Sequence, residues 1–207
     1  MIKVVSFDIG GTLLRENNDV SKYNLNALSN LIGLPKDVVK NAYKDVFQKT
    51  KGSFKKLVKD FCNKLNIKET QELIDFFKQK FNNTFEQLDS EDIELLKTIK
   101  NKGYKVILFS NNCCLVKSTL KNSLKDIVDN IFYSYDLGYT KSDEESFRFI
   151  EKKLHCQASE FLHIGDTLKS DYLKPISYGW NALFYGISDE ENIKCISNLS
   201  DVLKYLD

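Results

Sequence analysis

Net charge is almost absent from this chain: 30 basic side chains stand against 29 acidic ones, leaving a formal +1. A balance that close removes the global electrostatic argument for a nucleic-acid partner or an anionic membrane surface. No apolar run approaches the roughly 20 residues of a membrane span. The apolar start, "MIKVVSF", is too short for the hydrophobic region of a secretory signal and meets Asp8 at once. A disulfide framework is missing as well. The five cysteines (Cys62, Cys113, Cys114, Cys156 and Cys195) are odd in number and irregularly spaced, so free packing thiols in a reducing cytoplasm are expected. The vicinal pair Cys113-Cys114 is too short for an ordinary bridge. Internal repeats and low-complexity segments are also absent.

What remains is a chain of 207 residues, 42% hydrophobic. That suits one globular domain with room for an inserted subdomain, and it can bury a core unaided by cross-links. "IKVVSFD" (Ile2–Asp8) is short, β-branched and apolar on both faces, the pattern of a buried parallel strand. From residue 15 to 85 strand-like runs vanish. Leu25, Leu28, Leu31 and Ile32 repeat at helical spacing, as do Val38, Val39, Ala42, Tyr43 and Phe47. Two further stripes follow, through Phe54, Leu57, Val58, Phe61 and Leu65, then Leu73, Ile74, Phe76, Phe77 and Phe81. Pro35 can open the second helix and Ser53 can cap the third, which gives about four helices. This segment holds about six more basic than acidic residues. The excess is spread along the helices and is expected to be a solvated face, with a basic underside turned to an anionic substrate as the alternative.

After Phe85, strands and helices alternate. "SEDIELLKTIKNKG" forms a helix stopped at Gly103. "YKVILFS" (Tyr104–Ser110), "NIFYSY" (Asn130–Tyr135), "FLHIGD" (Phe161–Asp166) and "NALFYG" (Asn181–Gly186) supply four more strands. "SDEESFRFIEKKL" and "KSDYLKPISYGW" are helices between them, and "CISNLSDVLKYL" closes the chain. The alternation predicts an α/β fold: a doubly wound parallel, Rossmann-like sheet with right-handed crossovers, carrying an inserted all-α cap subdomain. The core is then residues 1–14 with 86–207, and the cap residues 15–85.

Reactive groups in such a sheet gather at the carboxyl ends of the strands. Three of those ends carry unusual polar residues: Asp8, Ser110-Asn111-Asn112, and Gly165-Asp166. Asp8 and Asp166 on one sheet edge need a cation between them to stay ionised together, and hard oxygen ligands suit Mg²⁺. Gly10 and Gly11 allow a turn that brings a main-chain carbonyl to that ion. The Thr12 and Ser110 hydroxyls, with nearby backbone N–H groups, can hold a phosphoryl group, and Lys141 can neutralise its charge. Asp171, five residues after Asp166, is a near neighbour.

Asp8-x-x-Gly11-Thr12, Ser110-Asn111, Lys141 within "LGYTKSD", and Gly165-Asp166 followed by Asp171 occur in the order of the four motifs of the haloacid dehalogenase-like hydrolase superfamily. The chain resembles that superfamily over nearly its whole length. The resemblance implies, for phosphatase members, an aspartyl-phosphate mechanism with Asp8 as nucleophile. By position, Asp8, the Gly10 carbonyl and Asp166 would ligate Mg²⁺. Ser110 and Lys141 would hold the transferring oxygens, Thr12 and Asn111 would contact substrate, and Asp171 would support the metal shell or Lys141. The expected partner is a small phosphorylated molecule.

One position departs. The phosphatase pattern resembles D-x-D-x-T, and its second Asp is a general acid and base. Gly10 stands there instead. A carbonyl survives that replacement; proton transfer, worth about 10²–10⁴-fold, does not. His163 on the strand before Asp166 is expected to point away from the loop as a satisfied packing residue, and His155 to be a surface residue. Two alternatives follow. One is C–P or C–halogen cleavage, with Lys51, Lys55 and Lys56 as the available cap lysines for a Schiff base; Asp166 argues against the dehalogenase type. The other is a catalytically impaired binding or regulatory protein on the same scaffold.

Overall fold

The computed structural model describes residues 1–14, 20–82, 88–116, 120 and 124–206. Six strands form one sheet: β1 (Val4–Phe7), β2 (Lys105–Ser110), β3 (Asn130–Tyr133), β4 (Phe161–Gly165), β5 (Asn181–Tyr185) and β6 (Cys195–Ile196). All neighbours run parallel, in the order β3-β2-β1-β4-β5-β6. This is the doubly wound order, and its reversal lies between β1 and β4.

Side-chain alternation divides the core between the two sheet faces. Val5, Phe7, Val106, Leu108, Leu162 and Ile164 pack with Leu95, Leu96 and Ile99 of helix α5 (Ser90–Asn101) and with Leu199 and Val202. Val4, Ile107, Phe109, Phe132 and Phe161 pack on the other side, with Phe147, Ile150 and Leu154 of the helix Glu144–Leu154 and with Trp180. Trp180 stacks on Phe161 at 4.0 Å, and its Nε1–H donates to Glu151 at 2.8 Å, so the ring is buried without losing its polar partner.

Between β1 and α5 lie α1 (Leu25–Ile32), α2 (Lys36–Tyr43), α3 (Phe54–Leu65) and α4 (Gln71–Asn82). Pro35 is the N-cap of α2 rather than its first residue, and the Ser53 hydroxyl accepts from the Lys56 N–H at the start of α3, as the sequence implies for that cap. α2 runs on into a wider π turn, Lys44–Gln48. Their apolar stripes close on Phe47, whose ring meets Tyr43, Phe61, Phe77 and Phe81 at centroid distances of 5.0, 5.5, 4.7 and 5.4 Å. Cys113 from the loop after β2 is buried in the same cluster. The expected limits of the helical insert fall at residues 15 and 85–86, outside the described residues.

The structure corrects several elements. The third strand ends at Tyr133, because buried Ser134 starts a helical turn and its hydroxyl both accepts from the Asn112 N–H and donates to the Asn112 carbonyl. The helix expected through Pro175 is a π turn (Leu168–Leu173) followed by a short α segment (Lys174–Ser177). Pro175 has no N–H to return along a regular helix. β6 is an additional edge strand, two residues long and too short to leave a periodic signal.

Candidate active site

Asp8 directly follows β1 and Asp166 directly follows β4, so the strand reversal places both carboxylates at one crevice. Register fixes this: Phe7 pairs with Ile164 on one side and with Leu108 on the other, and the Asp8 N–H donates to the Ile164 carbonyl at 2.8 Å. Ser110 is the last residue of β2. The loop after Asp8 closes on itself through N–H bonds from Leu13 and Leu14 to the Ile9 carbonyl and from Gly11 to the Leu14 carbonyl. These bonds use the Ile9 and Leu14 carbonyls rather than that of Gly10.

Lys141 is the centre of charge. Its side chain is 1% exposed, and its Nζ lies 2.9 Å from Asp8 Oδ1 and in contact with Asp171 Oδ1. Burial opposes an ammonium there, but the charges of Asp171 and Asp8 outweigh it and raise the pKa above the usual lysine value. The Lys141 backbone N–H donates to Asn111 Oδ1 at 2.8 Å, which ties the lysine loop to the end of β2. Asp143 fastens that loop from below. It accepts from the Thr140 N–H (2.8 Å) and hydroxyl (2.7 Å), and it pairs with Lys44 and Lys49 of the helical segment at 3.4 and 3.0 Å.

Asp171 is fully buried. Its Oδ2 accepts from the Thr167 N–H at 2.9 Å, and its Oδ1 also lies 3.4 Å from His163 Nε2. Burial pushes this carboxyl up, yet Lys141 and His163 hold it well below the ordinary range. Gly165 makes room for it, since a Cβ there would sit 2.6 Å from Asp171 Cβ.

Asp8 and Asp166 behave differently. Burial raises the Asp8 pKa; Lys141 pulls against it and the Asp171 charge adds to it. Asp166 is pushed up to about 6, first by burial and then by Asp8 and Asp171. Its Oδ1 is buried with no hydrogen-bond partner, while oxygens of Asp8, Asp166 and Asp171 come within 4.8 Å of one another. An orphaned carboxylate oxygen beside two other carboxylates is what a hard divalent cation satisfies. Asp171 is already held by Lys141 and Thr167, so the free ligand capacity is that of Asp8 and Asp166. Gly11 has φ +77°, and a Cβ on it would fall 2.1 Å from Asp166 Oδ2. Only glycine fits this crossing. Gly10 is the opposite case: its φ is not positive, and nothing lies within 4 Å of its Cβ position.

Asp8 opens into a cleft of about 790 Å³, lined with it by Gly10, Ser110, Asn111 and Lys141 on the sheet side. Thr12 is buried, its hydroxyl has no partner, and it lies outside this lining. The other wall is the face of α2 and its π turn, through Asp37, Lys40, Asn41, Lys44 and Gln48. Lys169 and Lys174 line it from beyond β4. The basic excess of residues 15–85 is therefore not wholly a solvated face, because two of its lysines border the cleft. Spacing along α2 carries that signal, since residues 37, 40, 41, 44 and 48 recur on one polar side, but sequence alone does not say what they face.

His163 corrects a second expectation. It is buried and satisfied, as predicted, with Nδ1 2.9 Å from Ser6 Oγ, but its Nε2 reaches Asp171 beneath the site. Burial lowers its pKa, and the two contacts suit a neutral ring with its proton on Nε2 directed at Asp171. His155 is exposed at a helix end. Lys51, Lys55 and Lys56 are exposed and lie outside the cleft lining; Lys51 pairs with Asp136, and Lys56 pairs with Asp60 at 2.6 Å. All five cysteines are free, and burial pushes the Cys113 thiol up to about 12, as befits a packing residue. Among the described residues no helix is long and apolar enough to cross a membrane.

The strand reversal thus brings an aspartate, a buried lysine and an acidic pair to one switch point of a doubly wound sheet. The family model of the haloacid dehalogenase-like hydrolases matches residues 2–173, and the chain belongs to that family. It is 28% identical over 183 residues to a D-ribitol-5-phosphate phosphatase of Bacteroides thetaiotaomicron, covering 80% of this chain and 84% of that one. Its fold is similar to that of a family enzyme from the same organism solved with magnesium and inorganic phosphate (TM-score 0.63, 14% identity, 93% and 98% of the two chains covered). It is similar as well to that of a 2-haloacid dehalogenase of Pseudomonas syringae pv. Tomato (TM-score 0.64, 18% identity, 100% and 98% covered).

Proposed function

We propose that the protein is a Mg²⁺-dependent phosphatase that cleaves a small organic phosphate through an aspartyl-phosphate on Asp8. The observation that carries this reading is the pairing of Asp8 with buried Lys141 beside the orphaned oxygen of Asp166. A dehalogenase attacking carbon has no use for that second carboxylate. The phosphatase relative and the magnesium–phosphate complex of the structural neighbour support the same choice.

In this reading Asp8, Asp166 and the Gly10 carbonyl would hold Mg²⁺, which would supply Lewis-acid neutralisation of phosphoryl oxygens. Asp8 attacks phosphorus, and the bond from phosphorus to the ester oxygen breaks. The Lys141 ammonium and the Ser110 hydroxyl hold the transferring oxygens. Asn111 fixes the Lys141 backbone, and Asp171, backed by His163, fixes its side chain. Thr12, buried within the nucleophile loop and outside the cleft lining, does not touch substrate. No side-chain acid stands at position 10, so the departing oxygen takes its proton from solvent, and water then attacks the aspartyl-phosphate without a base at that position. Substrates with acidic leaving groups lose least by this. Helices α1–α4, within residues 15–85, act as the cap that closes the cleft and chooses the substrate.

The test is hydrolysis of acetyl phosphate and p-nitrophenyl phosphate with Mg²⁺, comparing the parent with Asp8→Asn. Turnover by the parent, abolished in the variant, with phosphate trapped on Asp8, is the expected result. A parent with neither turnover nor a trapped aspartyl-phosphate refutes the reading.

A further inference from the structure

The mechanism uses the floor of the cleft and leaves its outer wall unexplained. At and beneath the floor, Lys141 pairs with Asp8 and Asp171, Asp166 lies beside those carboxylates, and one divalent cation brings these charges to balance. The outer lining is not balanced. It holds Lys40, Lys44, Lys169 and Lys174 against the single carboxylate of Asp37. Lys44 is engaged with Asp143, and Lys174 donates to the Tyr178 hydroxyl at 3.2 Å. Lys40 and Lys169 have no acidic partner among the described residues. They come from separate parts of the chain, one on α2 and one on the π turn after β4, yet both border one cleft. A surface lysine normally ends in open solvent or beside a carboxylate. Both lysines are exposed, and two unpaired ammonium groups at the rim of one cavity sized for a whole small molecule give its outer wall a positive character.

We propose that this wall binds a second anionic group, a carboxylate or a second phosphate, on the non-reacting end of the phosphorylated substrate, with Lys40 and Lys169 as its determinants and Lys174 assisting. The inference rests on the phosphatase reading for the orientation of the ligand. A neutral polyol end gains nothing from the two ammonium charges, whereas an anionic end pairs with both. Because the rim is solvated, the preference weakens with salt.

The test uses matched ligands of one length: D-ribitol 5-phosphate, with a neutral far end; 5-phospho-D-ribonate, with a carboxylate there; and D-ribitol 1,5-bisphosphate, with a phosphate. Their binding to Asp8→Asn is measured by titration calorimetry with Mg²⁺ at low and high salt, beside the turnover of each by the parent. Binding of one or both anionic ligands about tenfold or more tighter than the neutral one is expected. The gap should fall toward unity in the added pair Lys40→Met and Lys169→Met, and return with Lys40→Arg and Lys169→Arg. Which of the two anionic ligands gains more tells carboxylate from phosphate. Equal affinities for all three, no binding of any, or a gap that survives both Met substitutions overturns the inference. Binding discrimination without turnover by the parent would refute the phosphatase reading and leave the anionic wall standing; turnover without discrimination would do the reverse.

Discussion

Replacing Gly10 by aspartate should raise the activity, and the structure sets the terms of the gain. Position 10 borders the cleft beside Asp8, its backbone is outside the left-handed region, and no atom lies within 4 Å of a Cβ built there. The Cβ of the new side chain therefore meets no neighbour, and losing a glycine at a compatible φ stabilises a fold by about 0.4–1 kcal/mol through the unfolded chain. What it adds is an acid for the leaving oxygen and a base for the attacking water. Such help is worth about 10²–10⁴-fold, or roughly 3–5 kcal/mol of barrier. The gain should depend on the leaving group. An alkoxide needs a proton to depart, whereas p-nitrophenolate does not, so kcat/KM for D-ribitol 5-phosphate should rise about 100-fold or more and that for p-nitrophenyl phosphate less than about tenfold. The assay is phosphate release against substrate concentration for parent and Gly10→Asp, with thermal melting to establish that both are folded. A folded variant with no gain on either substrate, or with the same gain in kcat/KM on both, would refute the idea that position 10 faces the leaving group.

Lys141→Met should abolish turnover and lower the unfolding free energy by about 3–5 kcal/mol, because it strands the buried carboxylates of Asp8 and Asp171; urea titration of the variant against the parent reads this directly. Gly11→Ala should cost about 1–3 kcal/mol from its left-handed backbone alone, and the clash with Asp166 should also weaken Mg²⁺ binding, measured by calorimetry. The Asp143 carboxyl is opposed by burial, but the Thr140 N–H and hydroxyl with Lys49 and Lys44 hold it down to about 2. A depressed folded-state pKa gives stability that is present above the unfolded value near 3.8 and is lost as pH falls toward about 2. Asp143→Asn should thus be less stable than the parent by about 2 kcal/mol near neutral pH, and the two should converge in acid; denaturant midpoints across that range that never converge would refute the assignment.

The sequence by itself determined the strand ends and the chemistry gathered on them. Apolar runs of strand length, each closed by Asp8, Ser110 or Gly165-Asp166, are local signals, and a buried parallel strand leaves no other place for its polar end than the sheet edge. The helical stripes that meet at Phe47 were legible for the same reason, since period and burial are linked. Tertiary structure decided everything that depends on which elements meet. Asp8 and Asp166 are neighbours only because the strand order reverses between β1 and β4. His163, distant in sequence from Asp8 and Lys141 and distinguished by nothing in its run, supports Asp171 because β4 pairs with β1 and sets its ring against Ser6. The polar side of α2 was visible as a face, but a helix pattern does not name the neighbour of that face. Placement of α2 and its π turn across the cleft from the strand ends made Lys40 and Lys44 part of its wall, because the direction of a side chain is local and what stands opposite it is not.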